Sequence, residues 1–145
     1  MIKIQKAERF KTKLRLGLAG PAGSGKTMSA LKLARGLVGE KGKIILIDTE
    51  NGSGNLYADL FDYDIITIAG NYAPKYYTEA IEASEKAGYD VIIIDSLTHA
   101  WTGIGGLLEQ VSQSRAGSSY AAWRDATPQH NRLVEIGRAS CRERV

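Results

Sequence analysis

Gly20-Pro21-Ala22-Gly23-Ser24-Gly25-Lys26-Thr27 leaves a chain few folds to choose from. The stretch fits G-x-x-x-x-G-K-[ST], the phosphate-binding P-loop. A triphosphate tail is dense negative charge, and backbone N–H groups must converge on it closely. Glycines at 20, 23 and 25 remove side chains from that approach and permit positive φ. A helix starting near Lys26 would aim its free N–H groups and positive dipole end at the phosphates. Lys26 is expected to reach the β- and γ-phosphates and the Thr27 hydroxyl to ligate Mg²⁺. The flanks agree with the motif. Residues 14–19 (LRLGLA) predict a strand. Residues 28–38 predict a helix, with Ala30, Leu31, Ala34, Leu37 and Val38 at helical spacing.

Downstream, apolar runs alternate with helical spacing. Residues 43–48 (KIILID), 64–69 (DIITIA) and 90–94 (DVIII) each read as a strand covered on both faces, as in parallel sheets. Residues 49–55 read as a polar loop and 56–61 as a short helix. Pro74 suits the first turn of a helix whose face is Tyr77, Ala80, Ile81, Ser84 and Ala87, and Gly88 ends it. Gly103, Gly105 and Gly106 predict a flexible break before residues 107–113. Residues 114–119 form a polar loop. Residues 121–135 read as helical, kinked or divided at Pro128. The fold class expected is therefore α/β, a parallel-sheet P-loop NTPase. In such sheets ligands sit at the carboxyl ends of strands, where Asp48, Glu50 and Asp95 fall.

Length and composition suit one domain with a real core: 145 residues, 43% hydrophobic and 24% charged. No apolar run is long enough for a membrane span, and residues 1–15 carry no apolar signal segment. A single cysteine, Cys141, rules out an internal disulfide framework. A cytoplasmic protein is the expectation. Residues 136–145 (IGRASCRERV) break the pattern with an arginine-rich decapeptide. One reading frame of a common sequencing-adapter DNA encodes the same ten residues, so the tail is read as non-native and residues 1–135 as the domain. The tail holds three arginines and one glutamate, so without it the net charge falls from +3 to +1. Basicity is then no evidence for nucleic-acid binding.

Val91-Ile92-Ile93-Ile94-Asp95 has the form of a Walker B strand, whose aspartate holds Mg²⁺ opposite the phosphates. Ser96 follows it, where AAA+ ATPases commonly carry a catalytic glutamate. Ile44-Ile45-Leu46-Ile47-Asp48-Thr49-Glu50 offers the missing acid. This layout resembles the RecA-like recombination ATPases from about Leu16 to Trp101. The closest likeness is to phage-encoded RecA-like ATPases, AAA-domain proteins of which some act in single-strand annealing and recombination. Their Asp-Thr-Glu-Asn-Gly, Asp-Ser-x-x-His-Ala-Trp and Ala-Trp-Arg appear at residues 48–52, 95–101 and 122–124.

The resemblance implies a RecA-like core that binds and hydrolyses ATP with Mg²⁺, coupled to single-stranded DNA, in the cytoplasm of a bacterial host. It assigns Glu50 to polarising the attacking water beside Lys26, and Tyr57, seven residues on, to stacking on adenine. The site expected thus comprises Gly20, Pro21, Ala22, Gly23, Ser24, Gly25, Lys26, Thr27 and Tyr57 for nucleotide, and Thr27 with Asp95 for metal. Arg115, Arg124 and Arg132 flank the region where such proteins meet DNA, and Trp101 and Trp123 are candidate base-stacking rings. ATP, single-stranded DNA and a second copy of the chain are the partners implied; a membrane is not. In RecA-like cores a further strand lies between the Walker B and P-loop strands, and it should follow the helix at 121–135. The chain is therefore read as incomplete at its C-terminus: the full-length protein is an ATPase and residues 1–145 alone are inactive. Two other readings fit the loop: another P-loop NTPase, such as a small-molecule kinase or partitioning ATPase, or a nucleotide-gated interaction module without turnover.

Overall fold

The computed structural model of the chain describes residues 14–114 and 118–139. Three parallel strands, β1 (Ile44–Asp48), β2 (Asp64–Thr67) and β3 (Val91–Asp95), form a sheet of order β2-β1-β3. Central β1 is four apolar residues and an aspartate, and every one of its residues is buried. The alternation of the strand sends its neighbours to two cores. On one face Ile44 packs with Leu31 and Ala34 of α1 (Lys26–Val38), supported by Val91 and Ile93. On the other, Ile47 packs with Tyr77, Ala80 and Ile81 of α2 (Pro74–Lys86), supported by Ile92 and Ile94. Helix α1 thus covers one face of the sheet and α2 the other. The shorter α3 (Thr98–Thr102) and α4 (Leu107–Gln113) follow β3, and α5 (Ser119–Ala139) packs on α2 and α4.

The register pairs Asp48 with both Thr67 and Asp95, so all three strands end together. Asp48 is fully buried, and its carboxylate folds the loop beyond it. It accepts the Glu50 and Gly52 N–H groups at 2.7 and 2.8 Å and the Gly54 N–H at 3.4 Å. Gly54 lies flat on the strand: a Cβ there would meet the Leu46 side chain at 2.4 Å. Asp48→Ala strands these inward-facing donors, so it should destabilise the protein by about 3 kcal/mol. Urea unfolding measures this; a midpoint within error of wild type would mean the loop holds itself.

Several expectations need correction. Residues 14–19 are not a strand. Leu14, Leu16 and Leu18 are 64, 59 and 41% exposed, and β3 pairs only with β1 among the described residues, so the segment has no ladder to join. The short helix expected at 56–61 is instead a 3-10 turn over Ser53–Tyr57, set early by the Asp48 carboxylate, and Leu56 points to solvent. The glycine break at 103–106 is closely packed: a Cβ on Gly105 would meet Asn71 at 2.2 Å, and the Gly105 N–H donates to the Glu109 carboxylate. Pro128 neither ends nor divides α5. It gives no N–H to the Arg124 carbonyl, but Arg124 is exposed to water, and Thr127 Oγ donates to the Trp123 carbonyl at 2.6 Å across the same turn. The helix also runs on past residue 135, where Ile136 packs against the α2-side core. Residues 1–13 and 140–145 lie outside the described residues.

Candidate nucleotide site

The loop at 20–27 has the backbone that its glycines allow. Gly23 and Gly25 take φ of 75° and 80°, and Gly25 is the N-cap of α1. A Cβ on Gly20 would meet Ser24 Oγ at 2.8 Å. The Lys26 ammonium curls back over the loop, donating to the Gly20 and Pro21 carbonyls at 2.9 Å each. At the start of α1 the Thr27 hydroxyl donates to the Asp95 carboxylate at 2.5 Å, joining residues 68 apart in sequence. Two oxygen side chains from the two expected metal-binding positions therefore meet at the carboxyl end of β3.

Beside them, β1 ends in Asp48, Thr49 and Glu50. Glu50 is exposed, and its backbone is fixed by Asp48. Thr49 is buried and ties β1 to β3: its N–H donates to the Asp95 carbonyl at 2.8 Å, and its hydroxyl accepts the Ser96 N–H at 2.9 Å. The same hydroxyl lies 2.9 Å from His99 Nδ1. Tyr77 reaches the Ser96 carbonyl from the other core at 3.4 Å. Burial pushes the Tyr77 phenol up to about 12, so it stays a neutral donor at ordinary pH. The sequence reading did not find Thr49, Ser96 or Tyr77 here. The available signal was position, since Thr49 and Ser96 sit at the ends of neighbouring parallel strands.

Tyr57 is partly buried against the Leu31, Ala34 and Ile44 cluster, so its ring serves the α1-side core. Trp101 lies 5.7 Å from Trp123 and edge-on to His130 at 5.6 Å. Arg124 pairs with its neighbour Asp125, and Arg132 with Glu82, all exposed. Arg115 lies outside the described residues.

The family model described as AAA domain matches residues 12–138, most of the chain. The chain belongs to the AAA domain family. No curated protein and no solved structure matches it. Membership makes this a nucleotide-binding, P-loop ATPase-like domain on a small parallel α/β sheet. Among its described residues no helix is long and apolar enough to cross a membrane.

The residues of this AAA domain fit a magnesium–nucleotide pair. Thr27 and Asp95 supply a hydroxyl and a carboxylate, the hard oxygen donors Mg²⁺ prefers. Among the described residues no group of three His, Cys, Asp or Glu side chains could hold a metal. Two protein donors are nonetheless enough for Mg²⁺, which is usually held by one or two side chains together with substrate phosphates. The loop supplies backbone left open where Gly23 and Gly25 carry no side chain, with one ammonium folded over it.

Proposed function

We propose that this AAA domain is a RecA-like ATPase of the phage type, which hydrolyses MgATP in the service of single-stranded DNA recombination or annealing. The observation that carries the ATPase reading is the 2.5 Å hydrogen bond between Thr27 and Asp95. A loop glycine motif alone can arise by chance. A loop hydroxyl seated on the strand-end carboxylate expected of a Walker B site is much harder to obtain without a metal–phosphate function.

In this reading the N–H groups at 20–27 surround the β- and γ-phosphates, and Lys26 turns from the loop carbonyls to their oxygens. Thr27 and Asp95 hold Mg²⁺, which when bound neutralises charge building on those oxygens. Glu50 accepts a proton from water as that water attacks the γ-phosphorus and ADP departs. Tyr57 offers its exposed face to adenine. The Asp-Thr-Glu-Asn-Gly, Asp-Ser-x-x-His-Ala-Trp and Ala-Trp-Arg segments support the RecA-like assignment and, with it, the DNA partner and assembly with a second copy.

The test is phosphate release by the full-length protein. Release should require Mg²⁺, stop with EDTA and rise with single-stranded DNA. DNA binding should weaken as salt rises, because each lysine or arginine contact releases counterions, and Arg115→Ala should lower the salt slope by about one contact. No single-strand binding with or without ATP removes the DNA half of the proposal and leaves the NTPase half standing. Residues 1–145 alone are expected to turn over far more slowly, because the segment that carries the loop, 14–19, has no strand partner among the described residues. Full metal-dependent turnover by residues 1–145 would defeat that expectation.

A further inference from the structure

We infer that His99 is a positioning residue for the metal-binding carboxylate, acting through the Thr49 hydroxyl; the inference rests on the MgATP reading above. The starting point is the number of partners that hydroxyl has. A threonine hydroxyl carries one proton and two acceptor sites. Around Thr49 Oγ lie the Ser96 N–H at 2.9 Å, the Ser96 carbonyl at 3.1 Å, the Asp95 carbonyl at 3.2 Å and His99 Nδ1 at 2.9 Å. The Asp95 carbonyl is already served by the Thr49 N–H. A simple tie between the ends of β1 and β3 would be complete with the two Ser96 groups, one donating to the hydroxyl and one accepting from it. His99 is an extra partner brought in by α3, and it is as close as the nearest of the others.

The imidazole is also held in place. Its ring stacks on Tyr72 at 4.9 Å, and Tyr72 is anchored by its N–H to the Ile104 carbonyl at 2.7 Å. With ring and hydroxyl fixed, Nδ1 decides where the Thr49 proton points. If Nδ1 is bare it takes that proton, and the Ser96 carbonyl is left to Tyr77. If Nδ1 carries a proton it donates to the hydroxyl, whose own proton then goes to the Ser96 carbonyl. In both states the same hydroxyl oxygen accepts the Ser96 N–H, so the imidazole acts by fixing the rotamer of the hydroxyl that grips the 95–96 peptide. That peptide carries the Asp95 carboxylate facing Thr27. Groups bonded directly to a metal ligand commonly change metal affinity by about 10- to 100-fold when removed, and His99, one link further back through Thr49, is expected at the low end of that range.

The experiment measures equilibrium binding of a fluorescent ATP analogue to the full-length protein across a Mg²⁺ titration, with melting temperature recorded for each variant. His99→Ala should leave Mg²⁺-free nucleotide affinity within about two-fold of wild type. It should raise the Mg²⁺ concentration at half-effect by about ten-fold. His99→Asn, whose amide can reach the same hydroxyl, should recover most of that shift. Thr49→Val should shift the midpoint at least as far, because it also removes the acceptor of the Ser96 N–H. The double variant should be no worse than Thr49→Val alone, since the His99 link acts only through that hydroxyl. An unchanged Mg²⁺ midpoint in His99→Ala overturns the inference, as does a His99→Asn no better than alanine. Should His99→Ala fail to fold, His99→Asn and Thr49→Val still decide it: a wild-type midpoint in Thr49→Val overturns it. Wild-type protein that binds no nucleotide overturns the MgATP reading itself, a result distinct from any of these.

Discussion

Lys26→Ala is expected to yield a folded protein with no measurable affinity for ATP. The side chain is not part of either core. Among the described residues its ammonium bonds only to the Gly20 and Pro21 carbonyls, both on exposed residues that water can serve when the lysine is gone. The structural cost is therefore small, and the cost to an anion is large. Each charge-assisted hydrogen bond to a phosphate oxygen is worth about 1.5–3 kcal/mol, and a lysine bridging two phosphates makes more than one. Calorimetric titration with ATP should be flat while circular dichroism and melting temperature match wild type. Retained affinity would remove Lys26 from the site; a collapse of the fold would mean that the loop depends on its own lysine.

Glu50→Gln should separate binding from chemistry. The substitution keeps the shape and removes the carboxylate proposed to take the proton, so hydrolysis should slow by about 10²-fold or more. Nucleotide affinity should not change, because Glu50 is placed by the Asp48 carboxylate holding its N–H and not by contact with the loop. Single-turnover phosphate release together with an equilibrium binding curve checks both halves. Hydrolysis near the wild-type rate would leave Glu50 an exposed turn residue.

What the sequence disclosed and what it hid divide along one line. Elements whose signal is local were legible. Residues 44–47 are apolar without interruption and form the fully buried central strand; Pro74 and Gly88 bracket α2; and Gly23 and Gly25 take the positive φ the loop motif demands. The pairing of Thr27 with Asp95 was legible too, because a phosphate-loop motif and a Walker B strand are expected to converge on one ligand. Features decided by distant partners were not. Residues 14–19 look like a strand, yet a strand exists only where a ladder receives it. The turn at Ser53–Tyr57 is set by a buried carboxylate several residues earlier, which helical spacing at 56–61 cannot register. Pro128 is a helix breaker by local chemistry, and α5 survives it through packing against α2 and α4. The link from Thr49 to His99 spans 50 residues and depends on strand register, which no single stretch of sequence encodes.

The Trp101–Trp123 pair has a consequence for how the molecule can be watched. These are the only two tryptophans in the sequence, and both sit where α3 meets α5. Near-ultraviolet emission excited at wavelengths that tyrosine does not absorb therefore originates at one spot. Trp101 is six residues beyond Asp95 in the chain and two beyond His99, so the light source is covalently close to the strand end that carries the Asp95 carboxylate. A shift of α3 against α5 alters the separation and tilt of two coupled indoles, now 5.7 Å and 32°. The wild-type chain thus carries its own optical gauge for that contact, readable in a stopped-flow cell without a dye and without altering a residue.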